Sequence, residues 1–399
     1  MSITFNTLRE AAKTGGAAAL VRKEHLSPVG GYDELVDATK YPDPKGKGSI
    51  NQYLLRNIEG EVKNTVTLAS KQDQLNRIEK AIFTAPEDSP LAEAPRTVLT
   101  YEGVEGLPEL VESDLTLSHR VFDAHLMLGT MEHDGKLIKV TEHPDYIALR
   151  DSAATDMWAL LHTSPATLVF GAWDSARKSG QTRIASSVVG DTYGVLADQN
   201  PVNPSNAPVR SALKLDVIGS SYDIDNKDLV GYAADRRGGK PGKTKFKPSE
   251  VGLGPVPGTS IAGVAVADIV RSTIISINTL RTLRFGAHYA PGVTQAEGDA
   301  TARALLLAYV LAGRTYADLD GFLRANCHLV VIGSYPWQLV ASDSSVIESF
   351  EALTTDEADA LLAEAIAEAA KVGINWNGNR MAITGDQGIR RKATEDSEA

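Results

Sequence analysis

The sequence predicts a mixed α+β protein. Helical and strand-like patterns alternate without a strict strand–helix–strand rhythm, apolar runs continue from the first hundred residues to the last, and no internal repeat divides them. At 399 residues, 43% hydrophobic and 23% charged, the chain can bury a large core, which excludes disorder and fibrous repeats. A single elaborated domain is expected over residues 1–385, with a disordered tail at 386–399. No apolar run, Ala300–Leu311 included, reaches the roughly 18 to 20 residues a spanning helix needs. With no secretory pattern near Met1–Leu20 and a single cysteine, Cys327, a cytoplasmic protein without a Cys-based zinc site is expected.

In chain order, Asn64–Phe83 reads as a helix ended by Pro86, with Val66, Ala69, Leu75, Ile78 and Ile82 on its apolar stripe. Arg120–Ala124 and Thr167–Ala172 read as short strands, and Leu213–Ile218 as a half-buried one. Asp198–Pro208 and Gly238–Pro257 are Pro- and Gly-rich loops. Ile261–Ala267 alternates as a strand, and Asp268–Phe285 reads as a helix with Ile269, Val270, Ile274, Ile277, Leu280 and Leu283 on one side. The capping boxes Thr294–Glu297 and Thr354–Glu357 start helices running to about Ala312 and Ala370. Between them His328–Ile332 is a buried strand.

The net charge of −11 argues against a nucleic-acid partner only on average, because the charges are segregated. Residues 351–370 carry Glu351, Asp356, Glu357, Asp359, Glu364 and Glu368 without a base. Residues 236–247 carry Arg236, Arg237, Lys240, Lys243, Lys245 and Lys247 without an acid. This basic loop contains Gly242-Lys243-Thr244, the end of a phosphate-binding loop, but Arg237 stands where the first glycine is needed and Pro248 opposes a following helix. His119, His125, His133 and His143 match no metal-ligand spacing. Cys327 and His328, adjacent on a strand, point to opposite faces and make a poor nucleophile–base pair. No catalytic motif and no cofactor are expected.

Two segments are rich in groups that recognise polar polymers. Ser70-Lys71-Gln72-Asp73-Gln74-Leu75-Asn76-Arg77 places amides and two cations on a helix, with Ser70, Gln74 and Arg77 stacked at spacings of four and three. Such a face binds phosphates or sugars, although a solvated helix face has a similar pattern. Trp173 to Arg183 interleaves an aromatic with Arg177, Lys178 and Arg183, a composition suited to stacking a base and holding its backbone. A buried tryptophan with exposed charges around it is the bland alternative.

Taken in order, several blocks resemble one family, the CRISPR-associated RAMP backbone subunit of the type I-U, now I-G, Cascade effector. They are Leu26–Tyr41, LASKQDQLNRIEKAI at Leu68–Ile82, SPATLVFGAWDSARKSGQTRIASSVVG at Ser164–Gly190, Ser249–Gly254, Leu280–Phe285 and Leu323–Val330, spanning roughly residues 20 to 335. The resemblance implies an RRM-like, ferredoxin-type palm with large insertions, at 85–150 and 220–260, forming thumb or finger elements. It also implies a binding protein, not an enzyme, with many copies lined along crRNA that present the guide to target DNA. Other Cascade subunits and a recruited helicase-nuclease are the remaining implied partners.

On that basis Ser70, Lys71, Gln74, Asn76 and Arg77 are expected at the guide backbone, with Trp173, Ser175, Arg177, Lys178 and Arg183 nearby, and Arg271 and Arg284 also facing RNA. Asp174 is expected to orient its neighbours. The basic residues Arg236 to Lys247 are assigned to nucleic acid from charge and glycine content, with a subunit contact as the alternative. A competing enzyme reading, a metal-dependent ribonuclease of RAMP type, would use Asp33, Asp37 or Asp123. A structural assembly protein without nucleic acid is a third.

Overall fold

The computed structural model describes residues 2–42, 49–103, 108–174, 182–199, 224–225, 245–246 and 263–390. Nine of the described strands form one curled antiparallel sheet. They are β1 (Ala19–Pro28), β2 (Tyr53–Ile58), β3 (Glu61–Ala69), β4 (Val188–Leu196), β5 (Val266–Ser276), β6 (Phe322–Arg324), β7 (Cys327–Val331), β8 (Trp337–Val340) and β9 (Val346–Phe350). Their order is β6-β7-β1-β5-β4-β3-β2, and β8 pairs with the start of β1 and with β9. The α+β expectation therefore holds.

The principal described helices are α1 (Phe5–Ala12), α2 (Lys71–Phe83), α3 (Gln295–Ala317) and α4 (Thr355–Lys371). Both capping boxes are formed, at Thr294 and Thr354, so α3 and α4 begin where the sequence places them. Buried residues of α1, α2 and α3, among them Leu8, Ile78 and Leu306, pack in one cluster with Leu20, Val188 and Ile275 of the sheet. The helix α2 passes close to α3 at Gly313, where a Cβ would come within 2.5 Å of Ile82. Within the 85–150 segment lie four strands of a second, five-stranded sheet, Arg96–Tyr101, Leu110–Ser113, Thr130–His133 and Lys136–Lys139. Its fifth strand, Arg380–Thr384, runs parallel to Arg96–Tyr101.

The inner face of the main sheet alternates in polarity along the strands. Opposite pairs on β1 and β5 are Leu20 with Ile275, Arg22 with Thr273, Glu24 with Arg271, and Leu26 with Ile269. The apolar pairs join two separate core clusters, and the polar pairs make a layer between them. At its centre Glu24, 0% exposed, accepts from Arg271 Nε at 2.8 Å and Arg314 at 2.8 Å, with Arg22 at 3.0 Å. Asp318 pairs with Arg22 at 2.9 Å, with Arg271 at 2.6 Å, and with Arg314. Burial alone would raise the Asp318 pKa, but the three guanidiniums prevail and hold it below the usual carboxylate value.

Several elements differ from the sequence expectation. Asn64–Phe83 is not one helix: β3 occupies Glu61–Ala69, and Ser70 caps α2 by accepting from Asp73 N at 3.1 Å. Val62, Thr65, Val66 and Thr67 are β-branched, and their preference for a pleated surface outweighs the accidental helical spacing. Asp268–Phe285 is not one helix either: β5 occupies it as far as Ser276, for the same reason, and one helical turn follows at Ile277–Leu280. Thr167–Ala172 belongs chiefly to a buried helical turn, Pro165–Phe170, because a short run buried on every side has no period to betray it. Arg120–Ala124 is a 3₁₀ turn at Arg120–Phe122 followed by a short helix. The strand β7 does occupy 327–331, but its outer residues His328, Val330 and Val331 are exposed. The expected strand Leu213–Ile218 and the tail beyond 390 lie outside the described residues.

Candidate nucleic-acid interface

The helix α2 starts immediately after a sheet strand and presents one stripe to solvent. Its inner residues Leu75, Ile78 and Ile82 are core, whereas Lys71, Gln72, Asn76 and Lys80 are exposed. Gln72, Asn76 and Lys80 follow at intervals of four, so they stack along a single ridge. Gln72 Nε2 donates to Asn76 Oδ1 at 3.0 Å, which fixes the two amides relative to each other.

A groove runs along each side of this ridge, and Asn76 and Lys80 line both. One, about 600 Å³, is bounded by Asp73, Arg77, Thr84, Tyr316, Leu319 and Phe322. Phe322 is 47% exposed there, with the His328 ring edge-on at 4.7 Å. The other, about 560 Å³, is bounded by Gln72, Glu79, Leu115 to Ser118, and Arg120. Lys71 and Lys80 form no ion pair among the described residues, so both ammonium groups are available to an anion.

The walls of the grooves are held by paired charges. Arg120 donates to Glu79 at 2.6 and 3.0 Å and to the Gly171 carbonyl at 2.7 Å. Burial raises the Glu79 pKa even though Arg120 opposes the shift. This link joins α2 to the start of the Trp173 segment, so the two polar segments singled out from the sequence are tied together through a third. Gly171 at φ +83° belongs to this joint, and a Cβ there would meet Ser186 N at 2.7 Å. Beyond it Ala172–Trp173 pairs with Arg183–Ile184, and the Arg183 guanidinium lies 4.5 Å from the Trp173 ring centre, with Trp173 44% exposed. Asp174, buried, closes this stem through its backbone N–H to Thr182 O at 3.1 Å.

Three expected contacts are turned inward. Gln74 is 5% exposed and donates to Thr273 Oγ1 at 2.6 Å, because it lies one turn before Ile78 on the buried side of the helix. Arg77 spends its guanidinium on Asp73 at 2.9 Å and on the carbonyls of Phe322 at 2.8 Å and Leu323 at 3.1 Å, tying α2 to β6. Arg271 belongs to the internal polar layer, since 268–276 is a strand whose alternate residues point inward. Ser70 is used as the cap of α2. Arg284, half-exposed, pairs with the buried Asp299 at 3.3 Å. Ser175, Arg177, Lys178, Arg236, Arg237, Lys240, Lys243 and Lys247, and the side chain of Lys245, lie outside the described residues. Lys80, Gln72 and Phe322 were missed, although the four-residue stripe 72–76–80 was present in the sequence.

Asp123 caps a short helix, accepting from His125 N at 3.0 Å and His119 N at 3.1 Å. Asp37 pairs with Lys40 at 3.5 Å, and Asp33 is exposed. Among the described residues no three His, Cys, Asp or Glu side chains group as a metal site. Burial pushes the Cys327 thiol up to about 11, while His328 is exposed on the opposite face. No described helix is long and apolar enough to cross a membrane.

Residues 20–199 match the family model described as CRISPR-associated protein GSU0053 (Cas_GSU0053). That match supports a CRISPR-associated protein. It covers β1 to β4, and therefore α2 with both its grooves' shared ridge and the Trp173 segment. The blocks after residue 249 lie beyond it. No curated protein matches the chain.

Proposed function

We propose that this chain is a guide-RNA-binding backbone subunit of a type I-G (I-U) Cascade effector. Copies of it line the spacer portion of crRNA and present the guide for pairing with target DNA. The observation that carries the reading is that the matched span contains the exposed α2 ridge, whose lysines have no acid partner among the described residues and whose amides face outward. The strand order adds support. Taking β1, α2, β4, β5, α3 and β7 in sequence gives strand–helix–strand–strand–helix–strand with spatial order 4-1-3-2, all antiparallel, which is the arrangement of an RRM-like, ferredoxin-type palm. The protein reads backbone and shape in this role, and sequence belongs to the guide. It acts as a cytoplasmic binding protein without a cofactor, beside other Cascade subunits, and a helicase-nuclease recruited to the complex cuts the DNA.

The test is purification of the chain with a CRISPR array expressed alongside it, reading the absorbance ratio, the size of the complex and the length of the extracted RNA. An oligomer carrying RNA of one discrete length is the expected result. A monomer free of RNA, both alone and with the partner subunits supplied, would overturn the reading.

A further inference from the structure

The amide pair on α2 has a chemistry that phosphate binding does not use. A phosphate accepts hydrogen bonds only, and lysines suffice for it; a carboxamide both donates and accepts. Gln72 and Asn76 spend one group each on their mutual bond. That leaves Gln72 Oε1 as an acceptor and Asn76 Nδ2 as a donor on the two bonded amides, with no other partner among the described residues. If both amides were turned over, the free groups would be Asn76 Oδ1 and Gln72 Nε2, again one acceptor and one donor. In either orientation the pair matches a single hydroxyl, which gives one hydrogen bond and takes another.

Lys80 stands one turn further along the same ridge, about 5 to 6 Å away. A ribose hydroxyl and a phosphate of the same strand are separated by a similar distance. Phe322, exposed in the adjoining groove that Asn76 and Lys80 also line, supplies a flat apolar surface for a base. Hydroxyl, phosphate and base thus each meet a suitable group around one ridge.

We propose that Gln72 and Asn76 read the ribose 2′-hydroxyl, so that this surface selects RNA over single-stranded DNA. The inference rests on the guide-binding reading, and it names what that site recognises beyond charge. The amide pair contributes nothing to a deoxyribose, whereas Lys80 and Phe322 serve both polymers alike.

The experiment compares the full chain and its Gln72→Ala/Asn76→Ala variant for binding to single-stranded RNA, 2′-O-methyl RNA and DNA of one sequence. Both positions are exposed, so the variant is expected to fold, and its thermal midpoint serves as the control. The unaltered chain should favour RNA over DNA by about threefold to tenfold per contacted ribose, the worth of one or two neutral hydrogen bonds. The variant should lose that preference by weakening RNA alone, and 2′-O-methyl RNA, which can still accept but cannot donate, should bind the unaltered chain more weakly than RNA. An RNA-to-DNA ratio unchanged in the variant, with RNA still bound, would overturn the inference and leave guide binding intact. Failure of the unaltered chain to bind either strand, both alone and with the partner subunits supplied, would overturn the guide-binding reading and this inference with it. A change of oligomeric state at constant ratio would reassign the amides to a contact between copies and count against the proposal.

Discussion

The polar layer inside the sheet sets Arg22, Arg271 and Arg314 against Glu24 and Asp318, whereas the ridge of α2 carries Lys71 and Lys80 beside two amides and no acid. Both are clusters of cations among other polar groups. In the layer every guanidinium has a carboxylate, because an unpaired charge taken out of water is costly. On the ridge the cations face solvent and a shallow groove, where remaining unpaired costs little. The difference separates cations that hold the molecule together from cations free to meet a ligand, and Arg77 marks the boundary: it sits on the ligand-facing helix but is bonded as a structural residue.

The sharpest way to break the comparison is Glu24→Gln, which removes one of the two carboxylates and leaves three guanidiniums to share Asp318. Urea unfolding should show a loss of about 3 to 5 kcal/mol, as for removal of one partner from a buried pair. A loss below about 1 kcal/mol would mean that the layer is hydrated and no different in kind from the ridge.

Acid titration sharpens the same contrast. The Asp318 carboxyl has a lowered pKa in the folded chain, so its contribution is fully present above the unfolded value of about 3.9 and is lost as pH falls through the folded one. Stability measured against pH should therefore fall on the acid side, and Asp318→Asn should flatten that limb. An unchanged limb would show that Asp318 is not held by the three arginines.

Arg77→Ala should cost about 1 to 3 kcal/mol through the lost bonds to Phe322 and Leu323, and lysine should not restore it, because an ammonium cannot span two carbonyls as a planar fork does. Once folded, that variant should keep its RNA affinity. A selective loss of affinity at unchanged stability would return Arg77 to the interface. Lys80→Ala is expected to do the reverse, leaving stability within about 0.5 kcal/mol. Its dependence of log affinity on log salt should become shallower by about 0.7, the share of one phosphate contact on a single strand. A salt dependence identical to that of the unaltered chain would remove Lys80 from the interface.

Local signals were enough for some elements. The Thr294 and Thr354 capping boxes depend on residues three apart, so the starts of α3 and α4 could be read directly, as could the opposed faces of Cys327 and His328. The polar character of α2 and the singular composition around Trp173 were equally visible, and so was the α+β class. Whether a β-branched run such as 268–276 lies in a helix or a strand was not visible locally, because hydrogen bonds to β1 and β4, distant in sequence, decide it.

The same limit governed the candidate site. Residue type alone determined which side chains could bind a polyanion: Lys71, Gln74, Asn76, Arg77 and Arg271 all qualify as donors. Only the tertiary structure decided which of them are free to do so, by turning Gln74 onto Thr273, Arg77 onto two carbonyls and Arg271 onto Glu24, and leaving the line from Gln72 through Asn76 to Lys80 outside. A side chain's chemistry is carried by its own residue, but its availability depends on every group that folding brings within hydrogen-bonding reach.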